Sequence, residues 1–182
     1  MPNQYYSPNS RINGGALFAS FNSKDGSVYF KVLKQIANNP DKKNNFDGKS
    51  PINVKLSQDE AANIIRAVRT NSSCSFYHKF NDDVTTLKFT YYKTDGNPPR
   101  EGFGATIKRN DVEVKIGFTL GSAERLSLFL QNALVHIFDA EYSQDLKEAK
   151  EYRDKNKTAE SGSQNSETPA PEKEVPQETA DF

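Results

Sequence analysis

Tyrosine and lysine side chains recur beside each other in stretches of the chain that have the pattern of β-strands. From Ser27 to Ile36, apolar residues occupy nearly every second position, which predicts a strand with one face in the core. Successive side chains of a strand point to opposite faces, so Tyr29 and Lys31 are predicted to lie together on the second face. Because aromatic rings stack on bases and ammonium groups meet phosphates, this pattern is typical of a surface that binds single-stranded nucleic acid.

The same alternation adds aromatic and cationic residues from other strands to the second face, and residues near the turns extend it along the edge of the sheet. From Cys74 to Phe80, for example, Phe76, His78 and Phe80 are predicted to face the core. Duplex DNA offers no exposed base faces, so we expect a preference for single strands. The candidate nucleic-acid-binding residues are Tyr29, Lys31, Tyr77, Lys79, Lys88, Tyr92, Lys93, Arg100, Phe103, Lys108, Arg109 and Lys115.

The formal net charge of zero is the sum of two parts with opposite charge. Residues 1–157 contain 23 basic and 18 acidic side chains, whereas residues 158–182 contain 1 basic and 6 acidic side chains. Residues 11–120, which contain nearly all the strand-like sequence, have a balance of +6. The strand-rich part is therefore suited to a polyanionic partner.

Residues 158–182 are predicted to be a disordered acidic tail, because they are rich in Pro, Ser, Thr, Gln and Glu. The tail ends in Asp181 and Phe182. It resembles the C-terminal tip of bacterial and phage single-stranded DNA-binding proteins, which ends in acidic residues and a terminal Phe. The resemblance implies that this tip recruits replication or recombination proteins and competes with DNA for the basic surface.

The sequence contains no recognisable catalytic motif. It lacks a Gly-x-x-x-x-Gly-Lys-Ser/Thr loop, a Gly-x-Ser-x-Gly turn and a His-Glu-x-x-His helix. Cys74, His78 and His136 cannot supply the ligands of a structural zinc site and are expected to be packed structural residues. We therefore predict no enzyme activity, no metal and no cofactor. Neither a membrane-spanning apolar run nor a targeting peptide is present, so we expect a cytoplasmic protein, in the host cytoplasm if it is viral.

The elements that carry the candidate surface fall into two similar halves, each with strands followed by a Ser-capped helix. Ser57 to Glu60 form a capping box, and Ser122 is the expected cap of a longer helix with a wide apolar stripe. The predicted fold class is α+β, with antiparallel sheets and two repeats of three strands and a helix. We divide the chain into a flexible N-terminal arm (1–13), a binding domain (14–157) and the tail (158–182).

The order of elements over roughly residues 14–153 resembles that of the Whirly family and of the related transcriptional positive cofactor four fold. This resemblance implies curved antiparallel sheets that bind single-stranded DNA, with helices packed behind them or mediating assembly. The structural alternative is an OB-fold, whose five strands and helix would occupy residues 15–93. With its tail, the chain most resembles phage-encoded single-stranded DNA-binding proteins.

The leading hypothesis is a single-stranded DNA-binding protein that coats and protects strands in replication or recombination without strong sequence specificity. An RNA-binding or transcription-regulating protein would use the same face. A structural or protein-interaction module that dimerises through the long second helix is the alternative from another class. The wide apolar stripe of that helix predicts a homo-oligomer, either a dimer or a larger assembly.

Overall fold

The chain forms eight β-strands and two α-helices in the part that the structure describes. This computed structural model describes residues 3–37 and 45–163, with side chains for residues 3–37 and 45–156. In chain order the elements are β1 (Asn3–Ser7), β2 (Gly15–Asn22), β3 (Ser27–Lys34), β4 (Ile52–Leu56), α1 (Gln58–Arg69), β5 (Cys74–Phe80), β6 (Asp83–Thr94), β7 (Arg100–Arg109), β8 (Val112–Thr119) and α2 (Leu120–Ser163).

The strands form two separate antiparallel sheets of four strands each, in the orders β1-β2-β3-β4 and β5-β6-β7-β8. Three of the hairpin turns contain one residue in the left-handed region: Gly26 with φ 62°, Asn81 with φ 53° and Asn110 with φ 51°. Gly and Asn adopt this conformation more readily than other residues. The turn residues therefore determine where these strands reverse direction.

Each sheet is followed by a helix, which confirms the predicted α+β class and the repeat of strands followed by a helix. Each repeat has four strands, however, and not the three expected. The OB-fold alternative is wrong, because β4 ends one open sheet and β5 begins another, so no five-stranded barrel closes over this segment.

The fourth strand of the first sheet is β1, which lies in the segment predicted to be a flexible arm (1–13). It pairs with β2 along its whole length, and Tyr5 is only 4% exposed. The loop that follows is anchored by the buried Gln35 side chain, which accepts from the Asn9 N–H at 2.9 Å and donates to the Asn9 carbonyl at 3.1 Å. The prediction of a flexible arm is therefore wrong for β1. Tyr5 is the only apolar side chain of β1 that faces the core, and one residue is too few to show the alternation of a strand.

The inner faces of both sheets and one face of each helix share a single core. Strand β8 of the second sheet contacts β1, β2 and β3 of the first. A Cβ atom at Gly15 on β2 would lie 2.3 Å from Cγ1 of Val114 on β8, so this approach requires glycine. Apolar burial between the sheets therefore leaves only their outer faces and edges for binding.

The capping box predicted for α1 is present. The Glu60 N–H donates to Ser57 Oγ at 3.2 Å, and the Ser57 N–H donates to Glu60 Oε2 at 2.9 Å. These bonds satisfy backbone groups that the first helical turn leaves without partners. The buried face of the helix consists of Ala61, Ile64, Ile65, Ala67 and Val68.

Helix α2 begins earlier than predicted, because the cap is Thr119. The Ser122 N–H donates to Thr119 Oγ1 at 3.1 Å, so Ser122 lies in the first turn and is not the cap. The chain divides into two units, residues 1–142 and 143–182, and α2 contributes to both. In the first unit, its core-facing residues are Ala123, Leu126, Leu130, Ala133 and Ile137.

In the second unit, the described element is the part of α2 from residue 143 to Ser163. The helix thus continues into the segment predicted to be a disordered tail. Residues 164–182, including Asp181 and Phe182, lie outside the described residues, so the predictions for the end of the tail remain predictions.

The buried position of Tyr5 leads to a stability prediction. Its ring lies 5.3 Å from that of Phe118, and the Arg125 guanidinium lies 4.6 Å from its centroid. Tyr5→Ala should therefore lower the free energy of unfolding by about 3–5 kcal/mol in a denaturant titration. The adjacent Tyr6 is half-exposed and contacts only two outer rings, so it is the matched control, and Tyr6→Ala should cost less, about 1–2 kcal/mol. Equal, small effects of both substitutions would contradict the placement of β1 in the core.

Candidate nucleic-acid interface

The outer face of the second sheet is polar and cationic. Alternation along β6 buries Leu87 and Phe89 and leaves Lys88 and Tyr92 on the solvent side. The same holds on the neighbouring strands, because the paired register keeps residues of one face opposite each other. Apart from Val84 at one end, the outward residues are Ser75, Tyr77, Lys79, Thr86, Lys88, Thr90, Tyr92, Thr94, Arg100, Gly102, Gly104, Thr106, Lys108, Glu113, Lys115, Gly117 and Thr119.

This face brings together a majority of the predicted binding residues. Lys88 pairs with Thr106, which in turn pairs with Lys115, so the two lysines lie two strands apart, about 10 Å. The tyrosines are well exposed, with Tyr77 at 64% and Tyr92 at 42%. The predicted residues that share the face are Tyr77, Lys79, Lys88, Tyr92, Arg100, Lys108 and Lys115.

Positive charge dominates the outer face of the second sheet. Five of its outward side chains are cations, and the one outward carboxylate among the described residues is that of Glu113, whose Oε1 atom lies 3.0 Å from Lys115 Nζ. Glu113 also lies directly opposite Lys108. The face is therefore attractive to a polyanion, with exposed rings between the cations.

Gly104 of β7 lies on the same face and pairs with Gly117 of the edge strand β8, where a Cβ atom would lie 3.3 Å from Ser7 Oγ of β1. A Cβ atom at Gly104 would meet no atom within 4 Å, so the protein itself does not require glycine there. Glycine at such a position leaves the backbone open to close approach by a ligand. Gly104 was not among the residues predicted from the sequence, although the Gly-x-Gly spacing at 102–104 inside a strand was a usable signal.

Three of the predicted binding residues in β6 and β7 are not on the outer face. Phe103 is fully buried, and its ring stacks on Phe89 with the centroids 5.0 Å apart, so its predicted binding role is wrong. Lys93 has the same parity as the core-facing Tyr91, which places it on the opposite side of the strand. Arg109 also has core-side parity.

The Arg109 guanidinium is used to connect the two sheets. Its Nε donates to Thr85 Oγ1 at 2.8 Å, and its Nη2 donates to the Asn53 carbonyl at 2.6 Å. A guanidinium held by these bonds is a structural link between β6, β7 and β4, and it does not extend the cationic face.

Tyr29 and Lys31 do face outward, but from β3 in the first sheet, so they belong to a different surface. The Tyr29 hydroxyl donates to the Asp25 carboxylate, and this hydrogen bond raises the pKa of the phenol. Lys55 pairs with Tyr29 in the register, and its ammonium lies 6.0 Å from the Tyr29 ring centroid. The single continuous face expected from the sequence is therefore two faces on two sheets.

The first sheet also has an outer aromatic cluster that the sequence did not indicate. The Tyr6 ring lies 5.9 Å from that of Phe18 and 5.8 Å from that of Phe46. Phe18 pairs directly with Lys31, so aromatic and cationic groups adjoin here too. Tyr6 lies in the segment predicted to be a flexible arm, so the cluster could be identified only from the folded chain.

Neither histidine belongs to a metal-binding group. His78 Nε2 lies 2.9 Å from Glu60 Oε1, and the exposed His136 ring stacks on Phe21 with centroids 5.7 Å apart. Among the described residues, no three His, Cys, Asp or Glu side chains are grouped as metal ligands would be. No helix in the described part of the chain is both long and apolar enough to span a membrane.

No model of a protein family and no curated protein sequence matches the chain. Its structure is similar to a solved structure described as Trypanosoma brucei MRP1/MRP2, with a TM-score of 0.52 and 19% sequence identity. The match covers 73% of this chain and 83% of that one. At this identity the similarity supports the fold and carries no information about the ligand.

Cys74 provides a test of the structural environment at the start of β5. Burial raises the pKa of its thiol to about 11, so little reactive thiolate forms at pH 8. We expect Cys74 in the native protein to react with a disulfide reagent at least about tenfold more slowly than in the chain unfolded in guanidinium. This estimate already includes the greater nucleophilicity of a more basic thiolate. Equal rates for the two states would mean that Cys74 is not shielded.

Proposed function

We propose that this protein binds single-stranded DNA, without strong sequence specificity, on the outer face of the second sheet. The observation that carries the proposal is the combination of five cations and two exposed tyrosines on one open, nearly carboxylate-free sheet face. Lysines meet phosphates as point charges, and tyrosine rings stack on any base. Neither contact depends on a particular base, which is why weak sequence specificity is expected.

In this proposal the protein is not an enzyme and needs no cofactor. It coats and protects strands during replication or recombination in the cytoplasm, or in the host cytoplasm if it is viral. The resemblance of the element order to the Whirly and positive cofactor four proteins supports this function, as does the acidic tail ending in Asp181 and Phe182. That tail recruits replication or recombination proteins and competes with DNA for the cationic face.

The proposal leads to a prediction about salt dependence. For single strands, each phosphate contact contributes about 0.7 to the slope of log K against log salt. Lys88→Gln combined with Lys108→Gln should therefore weaken binding of a labelled oligothymidylate and reduce the slope by about 1.4. Lys147→Gln, which removes a lysine of α2 outside the face, is the matched control and should leave the slope unchanged.

Fluorescence anisotropy across several salt concentrations measures both quantities, with duplex DNA and an RNA of equal sequence as competitors. Stronger competition by RNA than by single-stranded DNA would favour the RNA-binding alternative. If the wild-type chain fails to bind any single strand even at low salt, the proposed function is wrong.

A second candidate function, self-association through α2, is favoured by a separate observation. Leu128, Val135, Phe138 and Tyr142 are each more than half exposed, and Phe138 and Tyr142 belong to the wide apolar stripe predicted for this helix. Leu128, Val135 and Tyr142 recur every seven residues, which is the spacing of helices that pair along an apolar seam. We propose that this stripe packs against a second copy and forms a dimer or larger assembly.

This assembly should be sensitive to a charge in the stripe. Val135→Glu should shift the mass measured by sedimentation velocity from oligomer to monomer, since an unpaired charge in an apolar seam is costly. Gln144→Glu adds the same charge at an exposed position outside the stripe and should leave the mass unchanged. A wild-type chain that sediments as a monomer at high concentration would rule out the assembly.

A further inference from the structure

We propose that the groove between β4 and β5 holds one nucleobase of the single strand bound on the second sheet, stacked against Phe80. The inference rests on the proposed single-strand binding and adds a specific subsite to it. Its ring, Phe80, was not among the predicted binding residues, because alternation assigns it to the core side of β5.

The groove is formed by two cavities, of about 880 and 300 Å³, that share Lys55, His78 and Phe80 in their walls. One side is provided by Asn53 to Lys55 of β4, continued in the larger cavity by Ser57 to Glu60 at the start of α1, and the other by Tyr77 to Phe80 of β5. Both strands are the outermost strands of their sheets, so the groove runs where the two sheets end beside each other. It has room for a base together with its sugar.

Phe80 is the unusual residue of the groove. Alternation along β5 assigns it to the core with Phe76 and His78, yet it is 77% exposed. The end of β5 extends past the core, so the nominally inward side of the strand opens into the groove. The exposed ring therefore lines a cavity, and the same cavity is also lined by the well-exposed Tyr77.

The groove is continuous with the cationic face. Tyr77 and Lys79 belong to the outer face of the second sheet and also line the larger cavity. A strand that lies on that face can place one base over the edge of β5 while its phosphates stay near Lys79. Continuity with the proposed binding surface is the reason to assign the groove to the same ligand.

The charges inside the groove favour a neutral base over a phosphate. Lys55 lies 3.8 Å from Asp25, and Glu60 is held by the Ser57 N–H and lies beside His78. Asp59 adds a further carboxylate to the wall. Cations and carboxylates thus offset each other within the cavity, so the phosphates are expected to stay on the outer, cationic side of β5.

The alternative occupant would be an extended peptide that adds a strand to the open edge of β4. A peptide strand requires free backbone groups along that edge. The Asn53 carbonyl already accepts from Arg109 Nη2 at 2.6 Å, which blocks part of the ladder. A stacked base needs only the Phe80 ring, so it fits the groove better.

The test uses the full chain and an oligothymidylate in which one thymine is replaced by 2-aminopurine, whose fluorescence is quenched when it stacks. Phe80→Ala should weaken binding at least about fivefold, because stacking on one ring is worth about 1–3 kcal/mol. The salt slope should stay unchanged, because Phe80 carries no charge. Phe80→Ala should also remove the quenching of 2-aminopurine at the position that occupies the groove.

Phe80→Tyr keeps a stacking ring and should retain the wild-type affinity within about twofold. Tyr152→Ala removes a similarly exposed ring that does not line the groove, and should change neither affinity nor quenching. Wild-type affinity and quenching in Phe80→Ala would overturn the subsite and leave the proposed function intact. Failure of the wild-type chain to bind would overturn both. A third outcome would also overturn the subsite: a peptide of residues 164–182 binds the wild type but not Phe80→Ala, while both proteins bind oligothymidylate equally well. The groove would then be a peptide site.

Discussion

The packing of β8 against the first sheet is the contact on which the rest of the structure depends. Gly15 lets β2 approach Val114, and the Tyr5 ring of β1 lies against Phe118. These contacts join the inner faces of the two sheets in one core, with a helix face added from each repeat. Burial of both inner faces commits every second residue of each strand to packing. The remaining residues are free to differ between the two sheets, and they do.

Alternation and capping predicted the parts of the fold that are decided within a few residues. Lys88 lies on the outer face because Leu87 and Phe89 on either side of it are buried, and Tyr92 follows with the same parity, as the sequence of β6 shows by itself. The α1 capping box likewise needs only Ser57 and Glu60. Lys115 has the same basis, because Val114 and Ile116 on either side of it are buried and fix the orientation of the strand.

The errors arise where orientation depends on residues distant in the chain. β1 is a strand because it pairs with β2 and packs against β8, and the residues Asn3–Ser7 alone do not indicate these contacts. Tyr29 follows the alternation correctly, but alternation cannot tell which sheet a strand joins. The alternation along β5 predicts that Phe80 is buried, but the core ends before Phe80 and its side chain is exposed. Arg109 is a cation near a turn, as expected of a binding residue, but its guanidinium lies between the sheets and links them. In each case the local pattern is right and the surroundings decide the role.

The two outer faces carry different groups for the proposed binding. The second sheet has five cations, two exposed tyrosines and the open backbone at Gly104, so the groups for long-range attraction and for close approach are both concentrated there. The first sheet has the Tyr6, Phe18 and Phe46 cluster but only Lys31 and Lys55 as outward cations on its strands. Electrostatic attraction acts over about 8 Å at physiological salt, whereas stacking requires contact. Under the proposed binding function, a polyanion is therefore drawn first to the second sheet, and the aromatic rings of the first sheet act only on a ligand that is already held.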